Sequence, residues 1–202
     1  MKKSILSFVA TAAFGFAPIV NAIEFDLEDP KGVNNIVFLL DAPLESINGT
    51  ATGITGSVSF DPAKPEETVG NVVVAVDSLS VANPTMVEHM MGGKWLAADK
   101  HPTINFEMKG LSDVSQDGTK VEGMAHGVMT IKGVSKEIKV PVSLSYLEGK
   151  LADRQRTPGD ILVIRSEFSV KRSDFGVNPG DSEDKVADEI ELRLSLGGFA
   201  PY

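Results

Sequence analysis

Cysteine is absent from all 202 residues. That excludes a disulfide framework, a thiol nucleophile and every thiolate metal site, although an exported chain would have been free to use the first. Positive charge is scarce too: 19 Lys and Arg face 28 Asp and Glu, a net charge of −9. Phosphate backbones and anionic membrane surfaces demand a basic face, so neither nucleic acid nor stable membrane insertion is expected. Catalytic and metal signatures are missing as well. The three histidines, His89, His101 and His126, lie far apart and form no His-Glu-x-x-His run. No G-x-S-x-G elbow occurs. The acids Asp181, Glu183, Asp184, Asp188 and Glu189 lack the spacing and the glycine of a calcium loop, and read as a solvated loop. No cofactor or metal is expected. Repeats, low-complexity tracts and linkers are also wanting, so a second domain is not expected.

What is present begins with a leader. Lys2 and Lys3 precede an apolar run from Ile5 to Val20, and Val20-Asn21-Ala22 offers small residues to a signal peptidase. Residues 1–22 are therefore expected to be a cleaved signal peptide and 23–202 a single exported domain, periplasmic or secreted. Removing the leader leaves 17 cations against the 28 acids, a net charge of −11.

The dominant pattern has a period of two. Ile104, Phe106 and Met108 alternate with polar residues, as do Ile138, Val140, Val142 and Leu144, and Ile190, Leu192, Leu194 and Leu196. Each reads as a strand with one dry and one wet face. Less regular candidates are Ile36 to Leu40, Thr55 to Phe60, Asn71 to Ser80, Lys120 to Lys132 and Ile161 to Val170, which makes about eight. Turn signals fall between them at Asp117-Gly118, Lys132-Gly133, Pro158-Gly159-Asp160 and Asn178-Pro179-Gly180. Asn48-Gly49-Thr50 matches a glycosylation acceptor and equally an ordinary turn. A meander of this length has to hide its edges, and closure into an antiparallel barrel does so. One stretch differs: Asn83 to Met91 reads as a short helix, started by Asn83 with Pro84 or by a Thr85–Glu88 capping box, and ended by Gly92-Gly93.

With the apolar faces inward, the lumen is nearly all aliphatic. A barrel of this size packs its own side chains or holds one small ligand. Gly123, Ala125 and Gly127 share one strand face. They either leave room for a guest or mark bends where the sheet curls. Met86, Met90 and Met91 read first as ordinary core, and alternatively as an adaptable lid over the mouth.

Lys171-Arg172-Ser173-Asp174-Phe175-Gly176-Val177 resembles the Arg-Ser-Asp-Phe-Gly signature of the YceI-like family of exported polyisoprenoid-binding proteins. Other segments agree in the same order. Glu88-His89-Met90 resembles the family's histidine-bearing short helix. Lys100 to Phe106 resembles its K-x-P-x-I-x-F segment, Gly127 to Val142 its hairpin, and Val186 to Leu196 its last strand. Near the N-terminus, Val37 to Pro43 lacks the family's histidine. The resemblance implies an all-β, lipocalin-like antiparallel barrel with one short helix near its mouth, and a tunnel for a long isoprenoid or quinone-like lipid. The residues expected to line or cover that tunnel are Val72, Val74, Val76, Met86, His89, Met90, Ile104, Phe106, Met108, Ala125, Ile138, Val140, Val142, Phe168, Arg172, Leu192 and Leu194. Lys171 to Asp174 are expected to order a corner through local hydrogen bonds and an arginine–carboxylate pair, with Phe175 plugging the barrel end and Gly176 supplying an unusual backbone angle. Alternatively, Arg172 meets a lipid head group at the rim.

The function expected is storage or transport of an apolar lipid, without turnover. The alternatives are an enzyme acting on a lipid head group through His89, and a structural subunit that shares the fold without a ligand. Pairing of two copies as a homodimer is left open.

Overall fold

A computed structural model describes residues 22–202, so the expected leader lies, apart from Ala22, outside the described residues. Alternating apolar residues form eleven strands: β1 (Ile23–Asp26), β2 (Asn35–Asp41), β3 (Ser46–Ala51), β4 (Ile54–Phe60), β5 (Val69–Ala75), β6 (Leu79–Val81), β7 (Thr103–Asp117), β8 (Lys120–Ile131), β9 (Val134–Leu147), β10 (Gly159–Lys171) and β11 (Glu189–Pro201). Two helices join them, α1 (Pro84–Met91) and the short α2 (Leu151–Gln155).

Every strand pair is antiparallel. Eight strands close in the order β1-β4-β5-β7-β8-β9-β10-β11, and β11 returns to β1 through Asp26↔Phe199. This is the antiparallel barrel expected from the alternation. The sheet also forks at β11. Residues Glu191 to Ser195 of β11 pair with β2, which continues to β3 and β6 and extends the wall on one side. Asn34 sits at the fork, almost fully buried. Its side-chain carbonyl accepts from Gly197 N–H at 2.7 Å, and its amide donates to Gly197 O and Leu27 O, each at 2.9 Å. One side chain thus supplies the bonds that a neighbouring strand would have made.

The turns follow local chemistry. Lys132 and Gly133 both take positive φ (50° and 77°), which matches the twist of the strands they join. The β7–β8 turn falls one residue later than expected, on Gly118-Thr119, because Asp117 pairs with Lys120. Asn83 caps α1 by accepting from Thr85 N–H at 3.0 Å, with Pro84 in the first turn. That excludes Thr85 as the cap.

Three expectations need correction. Asn71 to Ser80 is not one strand: a 3-10 turn at Val76–Ser78 separates β5 from β6. Asn48-Gly49-Thr50 is no turn, because it lies inside β3, where the Phe38 ring occupies the space a Cβ on Gly49 would need. The helix α2 was not anticipated. Its Leu151 covers Ile161 and Phe199 on the outside of the barrel wall.

Candidate ligand cavity

Inward-facing side chains from both branches of the fork line a cavity of about 430 Å³. That lies within the range of roughly 300–1,000 Å³ typical of small-molecule sites. At one end Phe25 and Phe60 pack against Tyr146, with ring centroids 6.2 and 6.1 Å apart. Tyr146 donates to Asp160 at 2.8 Å, and Asp160 also accepts from Gly149 N–H at 2.7 Å. Burial, then the bond to Asp160 and its charge, push the Tyr146 hydroxyl well above its ordinary pKa, so it remains a donor.

The wall is lined by Val72 and Val74 of β5, Ile104, Phe106 and Met108 of β7, Ala125 of β8, Val140 and Val142 of β9, Phe168 of β10, and Leu192 and Leu194 of β11. Met86, His89 and Met90 of α1 cover the other end, beside Arg172. Two expected positions fall outside the lining. Val76 turns away with the 3-10 turn and packs among Leu96 and Phe175, and Ile138 is wedged half-buried between the two halves of the core. Met91 also packs into that upper core rather than over the cavity.

The three small residues of β8 divide. Ala125 lines the cavity, whereas Gly127 lies under the Phe106 ring and against the Glu107 carbonyl, and Gly123 packs on Val114. Both glycines sit beside the register shifts of the β7–β8 ladder, so they serve the curl of the sheet.

Sequence reasoning missed a good part of the lining. Phe38, Leu40 and Ile47 come from the fork, which no local pattern announces. Met129 and Ile131 continue the face of Ala125 and were legible from the period of two. Trp95 carried no signal.

Arg172 is the largest buried side chain, 2 % exposed. The expected arginine–carboxylate pair does not form. Instead Arg172 donates to the carbonyls of Ala187 (3.2 Å), Val177 (3.0 Å), Asn178, Asp181 (2.7 Å) and Val186 (3.1 Å), and its guanidinium lies 5.4 Å from the Trp95 ring centre. Five N–H donors in a rigid fork suit this cage of carbonyl dipoles, which offsets the burial of the charge. The free carboxylates go elsewhere. Asp188 accepts from the Ser173 N–H and hydroxyl at 2.9 and 2.8 Å, and Asp174 lies 3.8 Å from Lys136. Phe175 is buried at the barrel end, and Gly176 takes φ 65°. Arg172 therefore builds one rim of the cavity, the acidic loop that follows Val177. The same loop is tied to the β2–β3 hairpin by Leu44 N–H donating to Asp184 O at 2.9 Å.

Polar side chains in the lining are few besides Arg172: Glu45, His89 and Asn105 come from three different elements, Ser182 and Lys185 from the one acidic loop, and Ser166 spends its hydroxyl on Pro141 O at 2.6 Å. Among the described residues no group of three or more His, Asp or Glu converges as a metal site, and no helix is long and apolar enough to cross a membrane. Such a cavity can exclude water from hydrocarbon and has little with which to hold a charge.

The YceI-like domain matches residues 33–197. The chain belongs to the YceI-like family. It is 30% identical over 150 residues to a UPF0312 protein of Azotobacter vinelandii, covering 74% of this chain and 72% of that one. Among solved structures it resembles BcnA of Burkholderia cenocepacia (TM-score 0.67, 21% identity, 81% of this chain and 95% of that one). It also resembles a polyisoprenoid-binding domain from Saccharophagus degradans implicated in plant cell wall breakdown (TM-score 0.63, 10% identity, 90% and 99%). These structural likenesses establish the barrel fold that family members share.

Proposed function

We propose that the protein is an exported carrier which sequesters one long apolar lipid, an isoprenoid or quinone-like molecule, inside its barrel and performs no turnover. The observation that carries this reading is the hollow lumen of about 430 Å³, whose wall is almost entirely aliphatic and aromatic. Each methylene transferred from water gains about 0.8 kcal/mol, so ten of them supply about 8 kcal/mol before ordering costs. That reaches micromolar affinity, near −8 kcal/mol, without any polar contact. The polyisoprenoid-binding neighbour on the same fold supports the choice of ligand class. Export rests on Lys2, Lys3 and the apolar run ending at Val20-Asn21-Ala22.

The test is organic extraction of the protein purified from its own exported fraction, followed by mass spectrometry. A stoichiometric apolar lipid is the expected result. Protein that carries none, and that takes up no added isoprenoid after delipidation, overturns the reading.

A further inference from the structure

The barrel wall is not laddered all the way round. β9 and β10 pair only from Ser143↔Arg165 to Leu147↔Ile161. Extending that register would set Lys139 opposite Ser169, yet the ladder stops. Over the same stretch each strand stays paired on its other side, β9 with β8 as far as Val134 and β10 with β11 as far as Lys171.

Pro141 accounts for the stop. The N–H and C=O of a strand residue point to the same side. The Pro141 carbonyl accepts from Ser166 Oγ of β10, so the missing proline N–H is missing on the β10 side. The β8 ladder passes Met124↔Pro141 undisturbed. A proline inside a sheet marks an edge strand, and from here upward β9 is one. Exposed charges flank the seam, Glu137 and Lys139 on β9 and Lys171 on β10, as expected of free edges that must not pair, while Glu167 turns to Arg193 of β11 at 2.6 Å. Beyond Ser166, the far end is held by two exposed contacts, Lys136 with Asp174 at 3.8 Å and Lys132 Nζ donating to Gly176 O at 3.1 Å, a weak clasp. Directly behind the seam, Val140, Val142, Phe168 and Val170 line the cavity.

We propose that the seam between β9 and β10 is a side gate through which a hydrocarbon chain passes between the lumen and the outside. The proposal rests on the carrier reading. Parting the upper strands here breaks the hydroxyl bond of Ser166, the exposed Lys136–Asp174 pair, the Lys132 Nζ bond to Gly176 O and the apolar contacts behind them, but no row of backbone bonds. Parting β7 from β8, β8 from β9 or β10 from β11 breaks a row of backbone bonds, each worth about 1 kcal/mol net; the single pair between β1 and β11 adjoins the fork, where Asn34 replaces the missing strand.

The chain has no cysteine of its own. Lys139→Cys with Ser169→Cys therefore places the molecule's two thiols across the seam, and loss of both free thiols on oxidation, read with a thiol reagent, establishes the crosslink before uptake is measured. Uptake of geranylgeraniol by delipidated protein, followed through Trp95 fluorescence, is expected to slow about tenfold or more on oxidation and to recover on reduction, with Kd unchanged. Pro141→Thr restores an N–H on the β10 side and is expected to slow uptake without any crosslink. Equal uptake rates in the crosslinked and reduced protein, and in Pro141→Thr, overturn the gate and leave the carrier reading standing. A parent protein that takes up no geranylgeraniol overturns the carrier reading and the gate with it.

Discussion

Ala125→Leu separates a hollow lumen from a filled one by the sign of a stability change. Ala125 is fully buried on β8 with its Cβ toward the cavity. Leucine adds three carbons there. If those carbons enter empty space, they remove apolar surface from water at about 0.8 kcal/mol each, so delipidated Ala125→Leu gains about 1–2 kcal/mol after allowance for ordering and imperfect fit. For a domain of this size that raises Tm by about 2–8 °C. If the lumen were packed with the protein's own side chains, the same carbons would overpack it and cost about 1–3 kcal/mol. Lipid binding moves the other way. The new side chain takes the place of about three ligand methylenes, about 2.4 kcal/mol, and weakens geranylgeraniol roughly fiftyfold. Differential scanning calorimetry of the delipidated protein and a fluorescence titration read the two effects. A lower Tm together with unchanged affinity refutes the reasoning.

Asn34→Ala leaves the Gly197 N–H and C=O and the Leu27 carbonyl unpaired at the sheet fork; a loss of about 2–4 kcal/mol in urea unfolding is expected, because buried unsatisfied groups cost about 1–3 kcal/mol each. Arg172→Lys keeps the charge but cannot reach five carbonyls with three donors, so hydrogen exchange over residues 177–188 is expected to quicken and bound lipid to leave faster. Unchanged exchange there would show that the loop holds itself. Asp29 gives a pH dependence. Burial works to raise its pKa, but the N–H groups of Lys31 and Val33, the Arg154 charge 2.6 Å away and the Asn34 N–H outweigh it, so the carboxyl titrates below its ordinary 3.8. Its contribution is complete above pH 3.8 and is lost as pH falls through the lowered folded value. Asp29→Asn is expected to flatten the acid limb of the stability curve and leave the neutral region nearly parallel to the parent.

The barrel was legible because a period of two is a local property. Ile104, Phe106 and Met108, or Leu192 and Leu194, declare their dry face without reference to anything distant, and much of the cavity wall follows from such alternation. α1 was legible from Asn83, Pro84 and the methionines one turn apart. The corner at Arg172 was located correctly, with Phe175 at the barrel end and Gly176 at positive φ, but the arginine's partner was misread. Adjacent acids suggested a carboxylate partner, yet the guanidinium goes to carbonyls five to fifteen residues along the chain, in a loop whose path is set by packing.

Composition and alternation determined by themselves that the chain makes an all-β, thiol-free, acidic barrel with an aliphatic interior. Only the tertiary structure decided that the lumen is hollow, that the sheet forks at Asn34 to add Phe38, Leu40 and Ile47 to its lining, and that Pro141 opens one seam of the wall. The first set depends on neighbours one or two residues apart. The second depends on which strand faces which across the ring, and on whether opposing side chains meet in the middle, and no local pattern carries either distance.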